Sequence, residues 1–240
     1  MKLNVFNQSD EAIQALAEYF IAIASDAIAQ KGRFDVSLSG GSSPKKLYAL
    51  LSDKYAETID WSKVFFFFGD ERFVPHDHPD SNFLMADQSF FTPLAIAEEQ
   101  VYKVDTGLDP ASAALDYQRC ICRHFENEPV FDLVLLGLGD DAHTASIFPN
   151  TSLVWIDEEL VKEVYLEDKE IYRISMTAPL INAAKNIAFL TFGSGKANAV
   201  KAVIEGDRDI QQYPAQLIKP CEGNLEWFID EAAAGNLSQQ

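Results

Sequence analysis

Of the groups in this 240-residue chain that can move a proton near neutral pH, His143 has the most suggestive surroundings. It belongs to Gly137-Leu138-Gly139-Asp140-Asp141-Ala142-His143-Thr144-Ala145-Ser146, directly after the apolar run Leu133-Val134-Leu135-Leu136. An imidazole can take a proton from water at cellular pH, and Asp141, two residues earlier, can fix its tautomer and orientation. A lone histidine after a strand is more often a capping or packing residue. The case therefore rests on what else converges with it.

Three further segments offer partners. Ser39-Gly40-Gly41-Ser42-Ser43-Pro44 leads into a helical pattern, with Ser43 as candidate N-cap and Pro44 at the first helical position. Two glycines allow close backbone approach, and a helix N-terminus aims N–H donors and its dipole at an anion, which suits phosphate. The same glycines also suit a tight turn that needs them for shape alone. Gly69-Asp70-Glu71-Arg72 follows Phe65-Phe66-Phe67-Phe68, and Arg72 offers a rigid fork of donors to a phosphate or an oxyanion. The competing reading is an ion pair of Arg72 with Asp70 or Glu71. Arg173, in the run from Ile171 to Thr177, joins the glycine-rich turn Gly193-Ser194-Gly195-Lys196 as a further source of phosphate contacts.

Other patterns are set aside. Gly137 to Ala142 formally matches the G-x-G-x-x-G/A dinucleotide fingerprint, but Asp140 and Asp141 would face a pyrophosphate, and Pro149 cuts short the helix that should receive it. The turn at Lys196 lacks Walker A spacing. His76-Asp77-His78 lies between Pro75 and Pro79 and reads as a solvated loop. Cys120 and His124 share a helix face, read as a buried thiol beside a surface histidine, so no metal is assigned.

The elements that must position these groups alternate. Apolar or β-rich runs at Phe34–Ser39, Val64–Phe68, Phe131–Gly137, Ile171–Thr177, Ile187–Phe192 and Ala215–Ile218 read as strands. The Phe and Leu/Val runs show no in-out alternation, as expected of strands covered on both faces. Helical patterns occupy Pro44–Leu51, Ser112–Phe125, Lys196–Ile204 and Leu225–Ala234, besides a long one capped by Ser9 and ended by Gly32. The expectation is an α/β fold, a Rossmann-like doubly wound and mostly parallel sheet with helices on both faces, forming one domain over residues 1–240. Ligands in such sheets bind beyond the carboxyl ends of the strands, where the four turns lie. The polar tail from Asn236 to Gln240 is expected to fray.

Composition agrees with a globular protein: 48% hydrophobic and 23% charged residues. The formal net charge of −18 opposes nucleic-acid and membrane partners, yet charges beyond a Debye length of about 8 Å are screened, so local Arg and Lys can still form an anion pocket. The first residues lack a signal-peptide core, and no stretch runs long enough without charge to span a bilayer. Cys120, Cys122 and Cys221 fit free thiols, making a cytoplasmic location the default. A monomer or a small homo-oligomer is expected.

Taken in order, Ser39 to Pro44, Gly69 to Arg72 with Ser81-Asn82, Gly137 to Pro149 and Gly193 to Lys196 resemble the 6-phosphogluconolactonases of the glucosamine-6-phosphate isomerase/6-phosphogluconolactonase superfamily. The resemblance runs from about Asp10 to Pro220. It implies hydrolysis of 6-phospho-D-glucono-1,5-lactone in the oxidative pentose phosphate pathway, with no cofactor. On this reading His143 is the general base, Asp141 steadies it, and Arg72 or nearby backbone N–H groups stabilise the oxyanion. Gly40, Gly41, Ser42, Ser43, Arg173 and Lys196 hold the phosphate, and Asp70 either touches substrate or positions Arg72. Ala142 stands where the family usually has Gly, a change of little cost unless the position needs a positive φ. The related deaminases carry an acid where this chain has Phe148, which cannot transfer a proton. Two rivals remain: a deaminase-like isomerase, and a non-catalytic sugar-phosphate sensor.

Overall fold

The computed structural model describes residues 1–238 and builds them around two sheets. The chain begins with β1 (Lys2–Phe6), α1 (Ser9–Lys31), β2 (Phe34–Leu38), α2 (Ser42–Lys54), β3 (Val64–Phe68) and β4 (Asp70–Arg72). It continues through α3 (Asn82–Ala86), α4 (Pro110–His124), β5 (Leu133–Leu136), β6 (Val161–Leu166) and β7 (Ile171–Met176). It closes with α5 (Ala178–Asn182), β8 (Asn186–Thr191), α6 (Ala197–Ile204), β9 (Asn224–Asp230) and α7 (Glu231–Ala234).

Six strands pair in parallel in the order β1-β9-β8-β5-β2-β3. Side chains alternate across a strand, so Phe66 and Phe68 enter the core under α1 and α2, while Phe67 enters the opposite core with Tyr117 and Ile121 of α4. This is why the phenylalanine run shows no polar face: each side is capped by helices, and each ring removed from water contributes about 1.5–3 kcal/mol. Helix α1 is long and apolar enough by length and composition to cross a membrane. Its apolar face, including Leu16, Phe20 and Ala24, is buried here in the protein core. Gly32 ends it at φ 80°, its N–H on the Ile28 carbonyl (3.0 Å). Gln8, not Ser9, occupies the N-cap, and no side chain caps the helix.

The second sheet, β4-β7-β6, is antiparallel. The expected strand at Ile171–Thr177 thus belongs to this small sheet and not to the parallel one. Gly69 is the hinge between the two: its N–H bonds the Leu38 carbonyl (2.9 Å) and its own carbonyl accepts from Met176 (2.8 Å). Three more expectations are corrected. Ala215–Ile218 is a 3₁₀ turn, Pro214–Leu217, locked by Gln216, whose side chain bonds the backbone at Ala202, Asp207 and Asp209. Leu225–Ala234 is strand β9 followed by the one-turn α7, whose N-cap Asp230 accepts from Ala233 N–H. Asn236 and Ser238 are tied to Asn198 and Glu205, so the described part of the tail is anchored; residues 239 and 240 lie outside the described residues.

From β2 the chain steps outward to β3, then returns to place β5 on the other flank of β2. The reversal opens a crevice at the carboxyl ends of β2 and β5, where doubly wound sheets bind ligands. At the opposite ends of the strands lies an unrelated polar knot. Fully buried Asp35 accepts from Lys31 (2.5 Å), Arg33 (3.0 Å) and His124 Nε2 (2.7 Å), while His124 Nδ1 meets Tyr102 Oη (2.9 Å). His124 is therefore a buried structural residue, not a surface one. Burial alone would raise the Asp35 pKa, but its His124, Lys31 and Arg33 partners outweigh it and hold the carboxyl down to about 2.

Candidate active site

The crevice is a cavity of about 340 Å³ between the loop after β2 and the loop after β5, closed on a third side by the antiparallel sheet. The loop after β5 is compact because it bonds to itself. Gly139 N–H reaches the His143 carbonyl (2.8 Å), Ala142 N–H the Gly139 carbonyl (3.0 Å), and Thr144 Oγ1 the Gly137 carbonyl (2.9 Å). No helix follows β5 at this point, consistent with setting the dinucleotide motif aside. A Cβ at Gly139 would overlap the His143 ring and the Asp141 carboxylate, so only glycine leaves room for the pair. Ala142 sits at φ 62°, the left-handed region, where a side chain is strained. The position does need the conformation that glycine adopts freely.

His143 Nδ1 lies 2.5 Å from Asp141 Oδ1, which also accepts from the His143 backbone N–H (3.1 Å). With the carboxylate as acceptor, Nδ1 carries the proton and Nε2 is the basic nitrogen. Partial burial acts to raise the Asp141 pKa; the hydrogen bond and charge of His143 outweigh it and hold the carboxyl at about 2. The imidazole stacks on Phe148 at 3.9 Å between centroids, and the Lys169 ammonium sits 4.5 Å from the Phe148 ring centre.

Arg72 and Arg173 are direct cross-strand partners between β4 and β7. Like charges so placed repel, and both Nε atoms are buried without an acceptor. Neither expected ion pair forms. Asp70 is engaged by Ser146 Oγ (2.6 Å), with Asn82 Nδ2 on its backbone carbonyl (2.8 Å). Glu71 is buried and accepts from the N–H groups of Arg72, Asn82 and Phe83 and from Ser81 Oγ. Burial pushes the Glu71 pKa up, ahead of the lowering by those donors. The Arg72 Nη1 donates only to the Asp80 carbonyl (2.6 Å), and desolvation lowers the Arg173 pKa. Two guanidinium groups held together with open donors call for an anion of high charge.

A second anion-binding element faces the same cavity. Helix α2 starts at Ser42, two residues earlier than expected, with Gly41 and not Ser43 as its N-cap, at φ 108°, and no side chain capping the first turn. Its leading N–H groups at Ser42 and Ser43 are available to a ligand. A Cβ on Gly40 would collide with the Asn82 amide, which accounts for the other glycine.

The chain matches the model of a family described as glucosamine-6-phosphate isomerases/6-phosphogluconolactonase over residues 7–227. It belongs to that family. It is 39% identical over 216 residues to the 6-phosphogluconolactonase of Synechocystis sp. and 40% over 218 residues to that of Nostoc sp., in each case covering 88% of both chains. Among solved structures it is similar to 6-phosphogluconolactonase from Trypanosoma cruzi, with a TM-score of 0.89 and 28% identity over 99% of this chain and 97% of that one.

In this family member the cavity gathers nine of the ten residues singled out from sequence: Gly40, Gly41, Ser42, Ser43, Asp70, Arg72, His143, Arg173 and Lys196. The tenth, Asp141, bonds His143 from beside the cavity. Lys196 reaches the wall already paired with Asp140 (2.5 Å), so its charge is partly spent before a ligand arrives. Asn82, Ser146, Phe148 and Lys169 also line the cavity and were not among the expected site residues. Lys169 sits among Glu167, Asp168 and Glu170 in the turn between β6 and β7; in sequence that is a solvated charge run, and only the fold of the hairpin brings it to the cavity.

Proposed function

We propose that this protein hydrolyses 6-phospho-D-glucono-1,5-lactone to 6-phospho-D-gluconate, the ring-opening step of the oxidative pentose phosphate pathway, with His143 as general base. The observation that carries the reading is the coexistence in one cavity of an Asp141-oriented imidazole and a pair of guanidinium groups with unsatisfied buried donors.

Two anion sites must be shared between two ends of the substrate. The phosphate, near two negative charges, goes to Arg72 and Arg173, because two adjacent cations match it; Lys169 and Lys196 line the same cavity. The lactone carbonyl then lies toward the Ser42 and Ser43 N–H groups, whose fixed dipoles stabilise the oxyanion. Nε2 of His143 takes a proton from water as its oxygen bonds to the carbonyl carbon. The tetrahedral intermediate collapses with cleavage of the bond to the ring oxygen, which recovers the proton from the imidazolium. Asp141 steadies that imidazolium, and the stack on Phe148 restrains its plane. Asp70, bonded to Ser146, positions the catalytic loop against β4 and not Arg72.

Free Cys120, Cys122 and Cys221 support a reducing compartment, the cytosol. The test is acid release from freshly generated lactone with enzyme against buffer alone. Acceleration supports the reading. Ammonia release from glucosamine 6-phosphate would replace it with the deaminase reading, and ligand-induced stabilisation with neither activity would replace it with a sensor.

A further inference from the structure

A second cavity, of about 310 Å³, is lined in part by Ala215, in the 3₁₀ turn that bonds the loop after β5. Its sides are Val203 and Ile204 at the end of α6 and Ile218 beyond the 3₁₀ turn; Trp227 of β9 also lines it. The chain has 37 acidic residues against 19 Lys and Arg, yet no carboxylate lines this cavity, and its charged side chains are Arg208 and Lys219. Both are exposed, and neither forms an ion pair among the described residues; Arg208 Nη1 makes one long hydrogen bond, to the Gln216 carbonyl (3.5 Å).

Trp227 is only 1% exposed and stacks on Phe189 at 4.0 Å, and its indole N–H is buried without an acceptor. Gln216, the other polar wall residue, is fully used by its bonds to Ala202, Asp207 and Asp209. The cavity thus has apolar walls and, at its rim, two exposed cations with no carboxylate beside them. That arrangement matches an apolar body with an anionic end. A sugar phosphate, polar all round, does not fit that lining, and the volume lies at the small end of ligand pockets.

We infer that this cavity binds a small amphipathic carboxylate, its chain against Val203, Ile204, Ile218 and Trp227 and its carboxylate at the rim with Arg208 and Lys219. Such a ligand is coupled to the proposed catalytic loop. The Ala215 N–H, on the cavity wall, holds the Ala142 carbonyl (3.0 Å), at the strained residue between Asp141 and His143. Nearby, Asn150 N–H bonds the Gln211 carbonyl (3.1 Å), a second tie between the same two segments. Occupancy that shifts Ala215 therefore biases the pose of His143, and the coupling is reciprocal. This second part rests on the proposed role of His143; the binding itself does not.

The probe is octanoate, titrated below its micelle concentration into protein carrying ¹⁵N-labelled tryptophan. The Trp227 indole resonance, on the cavity wall, should shift and saturate, while acetate and octylamine leave it in place. Trp227→Phe assigns the resonance; if that variant fails to fold, Trp61→Phe and Trp155→Phe assign it by elimination. The double variant Arg208→Glu/Lys219→Glu, both exposed positions, should weaken octanoate at least tenfold with an unchanged melting temperature. No saturable shift at Trp227, equal binding of octylamine, or unaltered affinity in the double variant overturns the site. A dimer that covers the cavity and is unmoved by octanoate in sedimentation velocity overturns it as well, assigning the face to a second copy. Saturating octanoate should change lactonase kcat at least twofold in the wild type and not in the double variant. Saturable binding with constant kcat overturns the coupling alone.

Discussion

Replacing Arg173 by methionine separates what the guanidinium does for the fold from what it does for the ligand. In the unliganded protein Arg173 faces Arg72 across the strands and holds a buried Nε without a partner. A buried unsatisfied donor costs about 1–3 kcal/mol, and a directly opposed like-charge pair costs roughly 0.2–1 kcal/mol. Methionine keeps most of the apolar stem and removes both penalties, but it also removes the attraction of Arg173 to Asp70. The net expectation is a gain of about 1–2 kcal/mol, a rise of roughly 2–8 °C in Tm for a chain of this length. The ligand reverses the order. With 6-phosphogluconate at about 100 times its Kd, the wild type gains about 2.7 kcal/mol by mass action, and the variant should gain little. KM for the lactone should rise by at least tenfold, with a smaller change in kcat. Thermal unfolding of both proteins with and without 6-phosphogluconate, together with steady-state kinetics, reads all of this. A variant that is less stable without ligand, yet keeps the same ligand-induced shift and KM, would refute the assignment of an anion to this pair.

Gly139→Ala should leave the circular dichroism spectrum intact and lower kcat by at least 10², because the new methyl displaces the imidazole and its carboxylate; wild-type turnover would mean the His143–Asp141 geometry is dispensable. Ala142→Gly should change Tm by no more than a few degrees, since relief of about 1 kcal/mol of left-handed strain is offset by unfolded-state entropy, whereas Ala142→Val should lose about 2–4 kcal/mol by differential scanning calorimetry. Asp35 has its pKa lowered from 3.8 to about 2 in the fold, so the stability it contributes is present above about pH 4 and is lost as pH falls toward 2. Asp35→Asn should flatten that limb of the urea midpoint against pH, and an unaltered limb would place the acid sensitivity elsewhere.

The parallel core was legible because its strands carry their own signature. Val64–Phe68 and Leu133–Leu136 are apolar on both sides, which only a sheet covered on two faces tolerates. The four turns were legible because each sets glycine just after an apolar run, together with a helix start or a charged or titratable side chain. What failed was local pattern without tertiary context. Asn224–Asp230 carries Leu, Glu, Trp and Phe and runs into three alanines, so its periodicity fits a helix as well as a strand; pairing between β1 and β8 decides it. Pro214–Leu217 is a short apolar run whose shape is set by the Gln216 side chain, a contact no window reveals. The second sheet was missed because Asp70–Arg72 looks like a turn. Only the buried Glu71, drawing in four donors from the following segment, shows why the chain extends there instead. For the same reason the two arginines were assigned to different tasks in sequence, and the register of β4 against β7 unites them.

In the proposed reaction His143 delivers water to the lactone carbonyl. The most direct test of that step is pH-stat acid release from fresh 6-phosphogluconolactone by His143→Asn, corrected for spontaneous opening and compared with the wild type. A loss of roughly 10² to 10⁴ in kcat with little change in KM is the expected result. Full turnover in the variant would contradict it, leaving the imidazole without a part in the reaction.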